Sequence, residues 1–268
     1  LKQALAALAA NTVVFTASFA QMAAEIPGLY DLLARPNLKY VIVGEMHGTA
    51  ETPAAFGDLA MGVAKRGPVT VALEYPDADH PQLDAYLHSK GEAADRAAFL
   101  QGRLWTYPSQ DGRTSKAMLD LIERLRVAIA TVPGFQVVSC QPSRVSGSAD
   151  NDRGMGECWK AAGAARPEAT ILALAGNAHA ALIDQYGYPP AASFLPPEQT
   201  VSLVNARPGG EAWNCQQDGC APHSMGLASG PTARGIHLGS VRGGAYSGVF
   251  APGGPFSASP PAAPSTAF

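Results

Sequence analysis

Glutamate and histidine recur in this 268-residue chain where short apolar runs end. Gly44-Glu45-Met46-His47-Gly48 follows the run that begins at Tyr40, and Glu74 closes the run Val69–Glu74. Gly176-Asn177-Ala178-His179 follows Thr170–Ala175. A fourth run, Phe135–Cys140, is followed by Gln141, Ser143 and Arg144. Imidazole takes up and releases protons near neutral pH, and a carboxylate beside it raises its basicity and fixes its tautomer. A water held between His47 and Glu45 or Glu74 would be activated for attack on a carbonyl or phosphoryl centre. His179 would polarise the carbonyl or stabilise the oxyanion, and backbone N–H groups opening the following helix could help. The same set suits zinc or manganese, with His47, Glu74 and His179 as ligands. Residue types alone leave the metal-dependent and metal-free versions both open.

Such residues act together only if the runs that carry them are neighbouring strands. Each run is short, rich in branched apolar residues and without polar alternation, as expected of strands buried on both faces of a parallel sheet. Helical patterns separate them: residues 53–65 behind Thr52 as a possible N-cap, 81–100, 115–130, 153–165 and 178–185. The third is the clearest, with Met118, Leu121, Ile122 and Leu125 on one stripe and Ser115 placed to cap it. Further strands are expected at Thr200–Asn205 and Gly235–Leu238. The alternation predicts a single α/β domain, a mostly parallel central sheet with helices on both faces. In such sheets ligands bind beyond the carboxyl ends of the strands, which is where the Glu and His residues fall.

Four further residues are candidates for substrate contact. Arg113 lies in the polar-aromatic stretch 105–115 (WTYPSQDGRTS), either as an anion clamp or within a plain turn and cap. Arg153 opens a helix, Asn177 stands inside the Gly176–His179 motif, and Tyr75 follows Glu74 at the expected mouth of the crevice. His223 and His237 could enter the site only if the C-terminal region folds back.

The ends have their own composition. Lys2 followed by the weakly apolar stretch Ala4–Ala20, with small residues at Ser18 and Ala20, predicts a signal peptide over residues 1–20. Residues 21–250 would form the domain. Residues 251–268 are mostly Pro, Ala, Ser and Gly without charge, and are expected to be a disordered tail. Four cysteines, an even count, fit an oxidising compartment, either periplasmic or extracellular. Cys215 with Cys220 and Cys140 with Cys158 are plausible pairs, with free thiols or a partial zinc site as the alternatives. The net charge of −3 and the absence of a dense Lys/Arg cluster argue against nucleic acid as a partner. The N-terminal stretch, interrupted by Asn11, Thr12, Thr16 and Ser18, is short for a bilayer span, and no other apolar run is long enough.

Gly44–His47, Glu74 and Gly176–His179, in that order over residues 38–206, resemble the erythromycin-esterase/ChaN-like superfamily, which includes the Tiki and TraB proteins and a domain of the Pasteurella toxin. Its signature is a pair of Gly-x-x-His motifs after two strands with glutamates at neighbouring strand ends. The resemblance implies three activities. Erythromycin esterases open macrolide lactones with a His base and an assisting Glu, without an obligatory metal. Tiki proteins resemble metal-dependent peptidases. ChaN-like proteins are linked to haem-iron uptake, for which Tyr75 or a His would supply an axial ligand. A hydrolase of an ester, lactone or amide is the first expectation, acting on a small-molecule or peptide substrate; a divalent metal or haem remains open as cofactor.

Overall fold

The computed structural model describes residues 25–263; the expected signal peptide lies outside the described residues. Nine strands are present among them: β1 Tyr40–Glu45, β2 Val69–Pro76, β3 Phe135–Gln141, β4 Thr170–Gly176, β5 Thr200–Asn205, β6 Glu211–Gln216, β7 Gly219–Ser224, β8 Gly235–Val241 and β9 Tyr246–Ala251. Helices α1 Leu29–Leu33, α2 Glu51–Ala64, α3 His80–Leu87, α4 Ala93–Leu100, α5 Arg103–Thr106, α6 Lys116–Thr131, α7 Ser148–Ala165 and α8 Asn177–Ala180 connect them. Seven strands form one sheet in the order β3-β2-β4-β1-β5-β9-β8, parallel except for the β8–β9 pair. The protein is a single α/β domain with a mostly parallel central sheet and helices on both faces.

Residues alternate between the faces with the period of two that strand geometry imposes. Val41, Val43, Val71 and Leu73 pack beneath α2, α3, α4 and α6 in one core. Tyr40, Ile42, Ala72, Ala173 and Ala175 pack with Met155 and Trp159 of α7 in the other. The small side chains on the second face leave room for Trp159. The Cys140–Cys158 disulfide ties β3 to α7, and Cys215–Cys220 staples the β6–β7 hairpin.

Several expectations change. The region 81–100 divides into α3 and α4, and the helix expected over 178–185 is only the single turn of α8. Thr52 does not cap α2; its buried hydroxyl accepts from Asn205 Nδ2 at 2.8 Å. Residues 251–263 are not a disordered tail. Ala251 ends β9, and Phe256 and Ser259 are buried. Main-chain hydrogen bonds seat this strap: Ala50 N–H to Ser257 O, Ser259 N–H to Gly48 O, Lys116 N–H to Pro260 O and Ala262 N–H to Thr114 O. Composition misleads here because an uncharged segment of small residues can also lie flat in a groove when neighbouring loops satisfy its backbone groups.

Candidate active site

Strand register brings the chemistry together. Glu45 stands opposite Gly176, and Leu73, one residue before Glu74, opposite Leu174. The carboxyl ends of β1, β2 and β4 are therefore level. His47 follows β1 in a turn that needs glycine: Gly48 has φ 77°, and a Cβ there would stand 1.9 Å from Trp213 O. The Arg113 loop nests against this turn, since a Cβ on Gly112 (φ 98°) would meet Gly48 N at 2.3 Å. Trp213 clasps both loops, donating from its backbone N–H to Gly48 O (2.9 Å) and from Nε1 to Gln110 O (3.1 Å).

Two carboxylate–imidazole pairs face each other across Glu74. His47 Nδ1 is hydrogen-bonded to buried Glu45, and its Nε2 lies 3.6 Å from Glu74 Oε2. His179 Nδ1 lies 2.9 Å from Oδ1 of Asp152, and its Nε2 3.7 Å from Glu74 Oε1. Asp152 is only 1% exposed and also accepts the Ala191 N–H. Glu74 Oε2 accepts the Gly176 N–H at 2.6 Å, while Arg113 Nη1 stands 3.7 Å from Oε1. Arg113 is braced by Asp111 at 2.9 Å and donates to Gln141 Oε1 at 3.1 Å.

Electrostatics follow from this alternation of charge. Burial alone would lower the His47 pKa, but Glu45 and Glu74 outweigh it and raise the imidazole to about 9. For His179 the burial penalty is likewise outweighed, by the hydrogen bond to Asp152 and the charge of Glu74, so its pKa is raised. Burial would raise Glu74, yet the two imidazoles and Arg113 hold it below the ordinary carboxylate range. The site opens into a crevice of about 420 Å³ with His47, Glu74, Arg113 and His179 on the strand-end side.

No protein-family model and no curated protein matches the chain in sequence. Solved structures do match. A succinoglycan biosynthesis protein aligns over 72% of each chain at 14% identity with TM-score 0.57. An erythromycin esterase, EreC, solved as a mutant in its open conformation, aligns over 74% of this chain and 82% of its own at 11% identity with TM-score 0.57. The fold is erythromycin-esterase-like. A Bacillus cereus protein shares it over 81% of each chain, at 12% identity and TM-score 0.52.

Within this erythromycin-esterase-like fold, Glu45, His47, Glu74, His179 and Arg113 come together, with Glu45 behind His47. Three sequence candidates do not join them. Tyr75 points to the opposite face from Glu74, because neighbours in a strand alternate. It is buried, and its hydroxyl accepts from Trp105 Nε1 at 3.1 Å. Arg153 is exposed and does not line the crevice. Asn177 is structural: its Oδ1 accepts the Asn205 N–H at 2.8 Å and its carbonyl accepts from the Tyr246 hydroxyl. The C-terminal region folds back, but neither His223 nor His237 lines the crevice.

Asp152 escaped sequence reasoning, although a signal existed. Asp152, Met155, Gly156, Trp159 and Gly163 form the buried stripe of α7, so an acid occupies a core position. Ser148, Asn151 and Tyr188, which line the far side of the crevice, carry no comparable signal.

The cofactor expectations fit poorly. Among the described residues no three His, Cys, Asp or Glu side chains are arranged to hold a metal ion. Each Nδ1 is engaged by a carboxylate, which orients its Nε2 toward Glu74, at 3.6 Å for His47 and 3.7 Å for His179. Haem fits no better: Tyr75 is on the wrong face, and Val145 and Tyr188 supply the crevice's apolar surface, too little to enclose a porphyrin.

Proposed function

We propose that the protein is an exported hydrolase of an ester, lactone or amide, in which His47 activates water. The observation that carries this reading is the pair of carboxylate-held imidazoles whose Nε2 atoms converge on Glu74. Glu45 holds Nδ1–H of His47, leaving Nε2 to take a proton from a water oriented by Glu74 Oε2. The resulting hydroxide adds to the carbonyl carbon while the His179 Nε2–H, kept charged by Asp152, hydrogen-bonds the oxyanion. Collapse expels the alkoxide or amine, which takes the proton from His47. A fold shared with an erythromycin esterase supports hydrolysis. Two disulfides support a periplasmic or extracellular location.

The test is hydrolysis of p-nitrophenyl acetate, a lactone and an anilide by the wild type and by His47→Ala. Turnover is expected in the wild type and a loss of roughly 10²- to 10⁴-fold in the variant. Because His47, with a pKa of about 9, must be neutral and His179 charged, kcat/KM should climb as pH rises from 6 and turn over where the raised His179 loses its proton. A flat profile from pH 6 to 9, or full activity in the variant, would remove His47 as the base.

A further inference from the structure

The crevice has two walls of opposite character. On the strand-end wall the polar side chains are already engaged: His47 by Glu45, His179 by Asp152, and Arg113 by Asp111 and Gln141. On the far wall, Ser148 and Asn151 of α7 and Tyr188 of the loop after α8 line the same space. Their side chains have no hydrogen bond or ion pair within the described residues. Asn151 and Tyr188 are half-buried and Ser148 is exposed, so these groups are open to a ligand. Tyr186, 63% exposed, stands beside Tyr188 with ring centroids 6.5 Å apart.

We propose that this far wall binds a polyhydroxylated alcohol, a sugar unit, so that the bond cut by the hydrolase proposed above is a short acyl ester carried on a saccharide. The inference rests on that hydrolytic reading. Hydroxyl and primary-amide groups both donate and accept, as the hydroxyls of a polyol do. A tyrosine ring offers the C–H face of a pyranose a flat apolar surface with a polar tip. Other substrate classes meet obstacles. Each cation in the crevice is paired with a carboxylate, so an anionic substrate finds no uncompensated charge. A long acyl chain finds no apolar trough, since Val145 and the Tyr188 ring supply the apolar lining.

The experiment compares four substrates with the full chain: an acetylated methyl glucoside, p-nitrophenyl acetate, p-nitrophenyl octanoate and an N-acetyl peptide anilide. The acetylated glucoside is expected to have the highest kcat/KM among the unactivated substrates, and the octanoate to be cut more slowly than the acetate. In Asn151→Ala and Tyr188→Ala, kcat/KM for the glucoside relative to p-nitrophenyl acetate should fall about tenfold or more, mainly through KM. Arg153→Ala, outside the crevice, should leave this ratio unchanged. Cleavage of p-nitrophenyl acetate with an unmoved ratio in both crevice variants, or a preference for octanoate or anilide, overturns the saccharide assignment and leaves the hydrolase intact. No cleavage of any substrate overturns the hydrolase instead. In that event saturation-transfer NMR of the acetylated glucoside on His47→Ala still decides the wall. A transfer signal that disappears when Asn151→Ala is added supports the assignment, and the absence of any signal overturns it.

Discussion

His47 takes its carboxylate from Glu45, two residues earlier at the end of the same strand, whereas His179 takes its from Asp152, 27 residues earlier on α7. The first pair is built by one turn; the second exists only because α7 packs across the second face of the sheet, tethered to β3 by Cys140–Cys158. Both imidazoles end with Nδ1 engaged and Nε2 aimed at Glu74. The same local chemistry is thus reached once through chain connectivity and once through tertiary packing, and the two should respond differently to perturbation.

The sharpest way to separate them is Glu45→Gln beside Asp152→Asn. Each neutral amide keeps the shape while removing the charge that fixes an imidazole, and each should cost activity on the order of 10²-fold or more. Their pH profiles should diverge. Glu45→Gln lowers the His47 pKa from about 9 and moves the ascending limb to lower pH. Asp152→Asn lowers the raised His179 pKa, so the limb at which the imidazolium is lost moves to lower pH. Identical profiles for the two variants would break the division into base and oxyanion partner.

Gly176 lies between the pairs. Its backbone (φ −51°, ψ 146°) suits any L-residue, but an added Cβ would stand 3.2 Å from His47 Nε2 and 3.6 Å from Glu74 Oε2. Gly176→Ala should therefore lower kcat by about tenfold or more at nearly unchanged melting temperature. An equal loss of stability would make the glycine structural instead.

Stability offers a quieter contrast. His47 titrates at about 9 in the folded protein and at about 6.5 unfolded. Its charged form therefore stabilises the fold fully below pH 6.5, and that contribution, on the order of 3 kcal/mol, is lost as pH rises through 9. Urea unfolding at pH 6 and pH 10 should show the decline, and Glu45→Gln should flatten it. Far smaller is the cap of α6: Ser115 Oγ accepts the Met118 N–H at 3.2 Å, and Ser115→Ala should cost ~1 kcal/mol in the same assay.

Much of the fold is legible because strand residues announce themselves locally. Val41, Val43 and Val71 belong to runs that could only be buried strands, and a buried parallel sheet sends Glu45, Glu74 and the His179 turn to one edge. Ser115 is readable for the same reason, since a cap lies within one turn of the helix it serves. Tyr75 misleads because adjacency in sequence is not adjacency in space: alternate strand residues face opposite sides of the sheet. The strap over residues 251–263 is hidden because its order comes from loops elsewhere in the chain, through bonds such as Ser259 N–H to Gly48 O.

The sequence by itself determined strands β1 to β5 and β8, the helical stripe of α6 and the identity of the Glu and His residues at the strand ends, because those features depend on neighbours a few positions away; β6, β7 and β9 carried no such pattern. Tertiary structure alone decided that Asp152 completes the second pair, that Gly112 nests on Gly48 to deliver Arg113, and that Ser148, Asn151 and Tyr188 face the crevice. All three join segments far apart in the chain. They are fixed by the packing of helices and loops onto the sheet, and no pattern within one segment encodes the partner it will meet.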